Sequence, residues 1–121
     1  MAHETVLARI PAEIPGHEAS LAATFDGELL GVETEGSLDL GGRLEQYAAL
    51  VRAHHEAYEA LGGIISMGGN DEILITTTKH YILIRPHHGK RVFLAVAIAS
   101  SGNIGYLRLK MKRYLDEIIR G

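Results

Sequence analysis

Seven histidines and no cysteine set the chemistry open to this chain. Two pairs stand side by side, His54-His55 and His87-His88. Neighbours on a helix point about 100° apart, whereas a helical metal pair wants its ligands at i and i+4. His87-His88 falls where a hairpin turn is expected, with no carboxylate close by in sequence. The spacing therefore predicts packed or solvated imidazoles, with no metal and no cofactor. Lack of cysteine removes thiolate sites, a Cys nucleophile and any disulfide framework. No Gly-x-x-x-x-Gly-Lys-Ser/Thr occurs, so nucleotide binding by a P-loop is not expected. Gly68-Gly69-Asn70 offers backbone amides to an anion, but such a triplet reads better as a turn. There is no Gly-x-Ser-x-Gly elbow and no carboxylate pair in a glycine-rich stretch. A Ser-His-Asp set assembled in space stays open. No catalytic residue is assigned, and the chain is expected not to be an enzyme.

Charge narrows the partners. Arg85, His87, His88, Lys90 and Arg91 crowd one hairpin tip, while Arg108, Lys110, Lys112, Arg113 and Arg120 make the last helix basic. A nucleic-acid surface would add stacking aromatics or a recognition motif, yet there is no Trp, only two Phe and a net charge of −3. Nucleic acid is not an expected partner. Arg113 and Arg120 suit a helix C-terminus instead. Residues 1–46 carry nine acids against Arg9 and Arg43, and residues 47–121 six acids against ten bases. In so small a fold the two halves neutralise each other once packed together.

At 121 residues, 46% apolar and 22% charged, the chain is one ordinary globular domain, 1–121. The N-terminus has neither a basic n-region nor an apolar h-region, and nowhere do about 18 uncharged apolar residues run together. A cytoplasmic address without a membrane is expected.

The elements that must position these side chains follow from periodicity and punctuation. A helix is predicted over 4–10, ended or kinked by Pro11, and Pro15-Gly16 marks a turn. Strands over 19–25 and 28–33 flank Asp26-Gly27, suited to a two-residue hairpin turn with positive φ at both positions. A long helix spans 40–61, with Ser37 or Asp39 as N-cap and Gly62-Gly63 as its stop. Three strands follow, at 72–78, 81–85 and 91–99, joined by Lys79-His80 and by residues 86–90. The last of them is apolar on both faces and should be central. Asn103 caps a final helix over 104–119. The expected architecture is α/β (an α+β sandwich): one five-stranded antiparallel sheet, the long helix on one face and the two terminal helices on the other.

The long helix carries more apolar surface than a sheet can use. Leu40, Leu44, Tyr47, Val51, Tyr58 and Leu61 line one face. A second stripe of Leu50, Ala53 and Ala57 runs beside it, sharing His54 and Leu61. Resting on a sheet takes an apolar stripe of roughly 100°, and this one spans about twice that. The surplus calls for a second partner, and alanines at i and i+4 suit the close approach of another helix.

Together these features resemble the Roadblock / dynein light chain family. Ile14-Pro15-Gly16 before the first strand, Asp26-Gly27 in the hairpin and Asp39-Leu40 opening the long helix carry the likeness. So does the run Asn103-Ile104-Gly105-Tyr106-Leu107-Arg108-Leu109. Pro11 and the glycine-rich, apolar stretch 63–70 depart from the pattern. The resemblance implies strand order 2-1-5-4-3 and a homodimer paired through the third strand and the middle helix. On this chain the implied interface is Leu50, Ala53, His54, Ala57 and Leu61 on the helix, with Ile73, Ile75 and Thr77 on the strand. The strand's ILITTT run has neither charge nor proline to block its edge, which fits pairing with a second copy. Family members act as non-catalytic dimeric platforms for small Ras-like GTPases in bacterial gliding, polarity and signalling systems, and others as adaptors. The implied role is binding and regulating a small Ras-like GTPase. A scaffold that touches no GTPase is one alternative. A small-ligand sensor is another, with any pocket lying over Ala19, Ala23, Ala95, Ala97 and Ala99. If His54 is buried between two copies, its protonation near pH 6 should loosen the pair, and a dissociation constant flat from about pH 5.5 to 8 excludes this.

Overall fold

The computed structural model describes residues 2–36, 38–62 and 71–120. Along the chain run α1 (Ala2–Glu13), β1 (His17–Thr24), β2 (Leu29–Thr34), α2 (Leu44–Ala60), β3 (Ile73–Thr76), β4 (His80–His87), β5 (Val92–Ala99) and α3 (Ile104–Arg120). A 3-10 turn, Gly41–Arg43, leads into α2. Every strand pair is antiparallel, and the sheet order is β2-β1-β5-β4-β3. Strand β5 lies in the middle with residues 93–98 fully buried, as an apolar run without alternation requires.

Two cores form, one on each face of the sheet. Helices α1 and α3 cover Leu83, Leu94, Val96 and Ile98 with Leu7, Ile10, Leu107, Met111 and Tyr114. Helix α2 covers Leu21, Ile82, Ile84 and Phe93 through Ala48 and Val51. Ala19, Ala23, Ala95 and Ala97 are wholly buried on that same side.

Local chemistry explains the joints. Ile14-Pro15-Gly16-His17 is a β-turn closed by His17 N–H donating to the Ile14 carbonyl at 3.2 Å, with Gly16 at φ +83°. Asp39 Oδ1 accepts from Gly42 N–H at 2.9 Å, so Asp39 caps the entry to α2. Gly62 at φ +71° terminates it. Asn103 Oδ1 accepts from Tyr106 N–H at 3.0 Å to start α3. Ser37, Gly63 and Gly68-Gly69-Asn70 lie outside the described residues.

Three local expectations change. Pro11 does not end α1: the helix runs on to Glu13, and Ile14 N–H still reaches the Ile10 carbonyl at 2.9 Å. Ile10 and Ile14 are both buried, and their packing holds the last turn although the proline lacks a donor. In the first hairpin only Gly27 has positive φ, at +94°. Gly27 N–H donates to the Thr24 carbonyl and Thr24 N–H to the Glu28 carbonyl, so the turn is longer than two residues and spares Asp26 the strained conformation. Strand β4 continues through Pro86 and His87. It can, because β3 pairs only as far as Ile84, leaving Pro86 where no third strand needs its missing N–H.

Candidate self-association surface and its histidine cluster

Helix α2 uses one side of its apolar surface on the sheet and leaves the other bare. Ala48 and Val51 are buried, while Leu50, Ala53 and Ala57 are exposed and Leu61 is 60% exposed. The second stripe is therefore present and unpartnered among the described residues. Strand β3 adds an open edge: it pairs with β4 alone, and among the described residues nothing pairs its far side. Ile73 and Ile75 turn toward the α2-side core and are half-buried there, so β3 offers its backbone more than these side chains. Thr77 lies just past the strand, its hydroxyl accepting from His80 N–H at 2.9 Å. Of the expected interface set, Leu50, Ala53, Ala57 and Leu61 share the open stripe.

His54 does something else. Its Nε2 lies 2.5 Å from Asp71 Oδ1, two residues ahead of β3. Asp71 Oδ2 meets Nε2 of His88, which enters from the β4–β5 turn. His88 Nδ1 lies 2.6 Å from His55 Nδ1, so one of the two donates and the other accepts. The His88 ring stacks on Tyr58 at 3.6 Å between centroids and 5° between planes. Phe25 closes the far end, edge-on to His55 at 5.3 Å, with the Arg91 guanidinium 5.0 Å over its ring. The two adjacent helical histidines thus both reach His88 or its carboxylate. The C-terminal half of α2 rests on this imidazole and aromatic stack where its N-terminal half rests on alkyl groups.

Burial pushes the His88 pKa below the ordinary 6.5, a cost that the Asp71 hydrogen bond only partly offsets. The basic tip expected at 85–91 is largely taken apart: His88 points inward, Arg91 lies over Phe25, and His87 Nδ1 accepts from Lys90 N–H at 3.0 Å. Arg108 donates to Glu72 at 2.8 Å, and with Arg85, Lys112 and Leu109 it lines a shallow cleft of about 340 Å³.

Periodicity in the sequence did not reveal this cluster. Asp71 is 17 residues from His54 and 17 from His88, and three separate elements must fold before the groups meet. The paired histidines were the one local signal.

No protein-family model matches the chain, and no curated protein matches it in sequence. Solved structures do match in shape. A Roadblock/LC7 domain from Streptomyces avermitilis superposes with a TM-score of 0.71 at 15% identity, covering 97% of this chain and 94% of that one. The fold is that of a Roadblock/LC7 domain. Myxococcus xanthus MglB shares that fold with a TM-score of 0.77 at 18% identity, over 98% of this chain and 92% of its own. MglC from the same organism gives 0.63 at 23% identity, over 98% and 97%. Another neighbour of Roadblock fold is described as MglB with a tetrameric arrangement. No helix among the described residues is long and apolar enough to cross a membrane.

Proposed function

We propose that the chain is a homodimeric, non-catalytic module that binds and regulates a small Ras-like GTPase. One observation carries the reading: a helix stripe of Leu50, Ala53, Ala57 and Leu61 with no partner among the described residues, on a Roadblock fold whose β3 edge is also open there. Helix-to-helix packing through alanines and edge-to-edge strand pairing would satisfy both in a two-fold dimer. Neighbours of the same fold include MglC and MglB proteins, one of them a Thermus thermophilus gliding protein. In that role the dimer would reposition the GTPase's own catalytic groups. Ala19, Ala23, Ala95 and Ala97 beneath α2 are wholly buried in one core cluster, which sets the sensor reading behind.

Affinity capture from the native cytosol, run with GDP and with a non-hydrolysable GTP analogue, tests the partner. Retention of a small GTPase in the GTP lane alone is the expected result. Capture of other proteins with no GTPase in either lane moves the chain to the adaptor reading.

A further inference from the structure

We propose that His54, Asp71 and His88 form a binding site for a first-row divalent transition metal, zinc above all. One ligand atom from each lies within 4.8 Å of the others. Zinc holds nitrogen and oxygen ligands at about 2.0–2.2 Å, so donors around it stand roughly 3.3 Å apart, and small rotations of these side chains reach that span. Two imidazoles and one carboxylate are a donor set for zinc, cobalt, nickel or copper; magnesium and calcium want oxygen.

The three ligands arrive from α2, from the lead into β3 and from the β4–β5 turn. Their side chains are 23%, 18% and 11% exposed, enclosed enough to be held and open enough to admit an ion with its remaining water.

A supporting shell stands behind the ligands. His88 presents Nε2 to the site and Nδ1 to His55, and His55 Nε2 in turn lies 3.4 Å from a Glu59 carboxylate oxygen. If His55 Nε2–H is directed at Glu59, His55 Nδ1 accepts from His88 Nδ1–H. That leaves the His88 Nε2 lone pair aimed at the Asp71 carboxylate. Lone pair against carboxylate is repulsive, and a cation between them removes the repulsion. A metal-bound histidine commonly donates its other ring N–H to an acceptor that fixes its tautomer, and here that acceptor would be His55, backed by Glu59. The opposite tautomer chain makes Asp71 the acceptor of two Nε2–H donors and leaves the His55 lone pair facing Glu59. The two arrangements differ in where the protons sit, which makes them separable. His17 shows the contrast elsewhere in the fold: its ring nitrogens end on one carboxylate and one hydroxyl, Glu35 and Ser20, with no third ligand converging.

A metal here would tie the C-terminal half of α2 to the start of β3 and to the β4–β5 turn. The inference rests on these side chains alone and stands whether or not a GTPase is the partner.

The test uses the full chain stripped of metal with a chelator, then titrated with Co²⁺ followed by visible absorption and with Zn²⁺ followed by calorimetry. One equivalent should bind, and Zn²⁺ should displace Co²⁺. Asp71→Asn and His88→Gln should each weaken binding at least about 100-fold, and the supporting His55→Gln about 10-fold. His80→Asn, in a histidine away from the cluster, should leave binding unchanged. Thermal unfolding should rise with Zn²⁺ in the parent and not in Asp71→Asn. Circular dichroism of each metal-free variant identifies any that fails to fold. Imidazole nitrogen NMR on the parent needs no variant at all: Nε2 of His54 and of His88 both carrying no proton, and both shifting, at saturating Zn²⁺ supports the site. No stoichiometric binding, equal binding by Asp71→Asn and the parent, or Nε2 protons that persist at saturating Zn²⁺ overturns it.

Discussion

The two faces of the sheet are built to different ends. Under α1 and α3 the core is sealed by large side chains, and polar ties close its outer margin. Arg9 grips Glu117 at 2.7 and 3.4 Å, and Tyr114 O–H donates to Glu13 at 2.7 Å. Under α2 the core mixes alanines with Leu21, Ile82, Ile84 and Phe93, a single helix covers it, two histidines of that helix join Asp71 and His88, and an apolar stripe is left exposed. Among the described residues one face is finished and the other is not. Stability is therefore concentrated where α1 and α3 meet, and on the proposed reading α2 and β3 are where a second copy would dock.

Large-to-small changes should expose that division most strongly. Leu107→Ala, from the sealed face, should cost about 3 kcal/mol in urea unfolding through lost transfer energy and a cavity. Leu109→Ala on the same helix, where the leucine is 74% exposed, should stay within about 0.5 kcal/mol. Equal costs would break the picture of one buried stripe on α3.

Tyr114→Phe should cost about 1 kcal/mol, since it deletes one hydrogen bond to a partly exposed carboxylate and keeps the ring. A variant as stable as the parent would show that the margin of this face is held by packing alone.

Acid sharpens the comparison further. Hydrogen bonding from Arg9 holds the Glu117 carboxyl below its ordinary 4.5, and the Tyr114 hydroxyl does the same for Glu13. A carboxyl depressed in the folded state stabilises above its unfolded pKa, and that contribution fades as pH falls through the folded value. Hydrogen-exchange protection factors at the α1–α3 contact, corrected for the intrinsic rate at each pH, should therefore fall below about pH 4.5, and Glu117→Gln should blunt the change. Both groups are exposed enough that solvent screens them, so this effect should be the smallest of the series.

Sequence periodicity was sufficient where a single element decides the outcome. The apolar run 92–99 had to be central, and Asn103 and Gly62 mark helix ends by chemistry local to them. The surplus stripe on α2 was visible for the same reason, since a helix displays its faces at a fixed angle. Proline was misleading in both places where neighbours decide: Ile10 and Ile14 hold α1 across Pro11, and the short reach of β3 frees Pro86. The histidine cluster was beyond such reading. His54 and His55 look mismatched as helix neighbours until His88 and Asp71 arrive from elsewhere, and only the folded sheet brings them.

Sedimentation equilibrium of the parent and of Ala53→Glu puts the unfinished face to the most direct test. The parent should be a dimer at micromolar concentration. Ala53→Glu, with a charge at an exposed position of the bare stripe, should raise the dissociation constant at least about 30-fold while keeping the helical signal of the folded chain. A monomeric parent, or an Ala53→Glu dimer as tight as the parent, would contradict the assignment of that stripe to self-association.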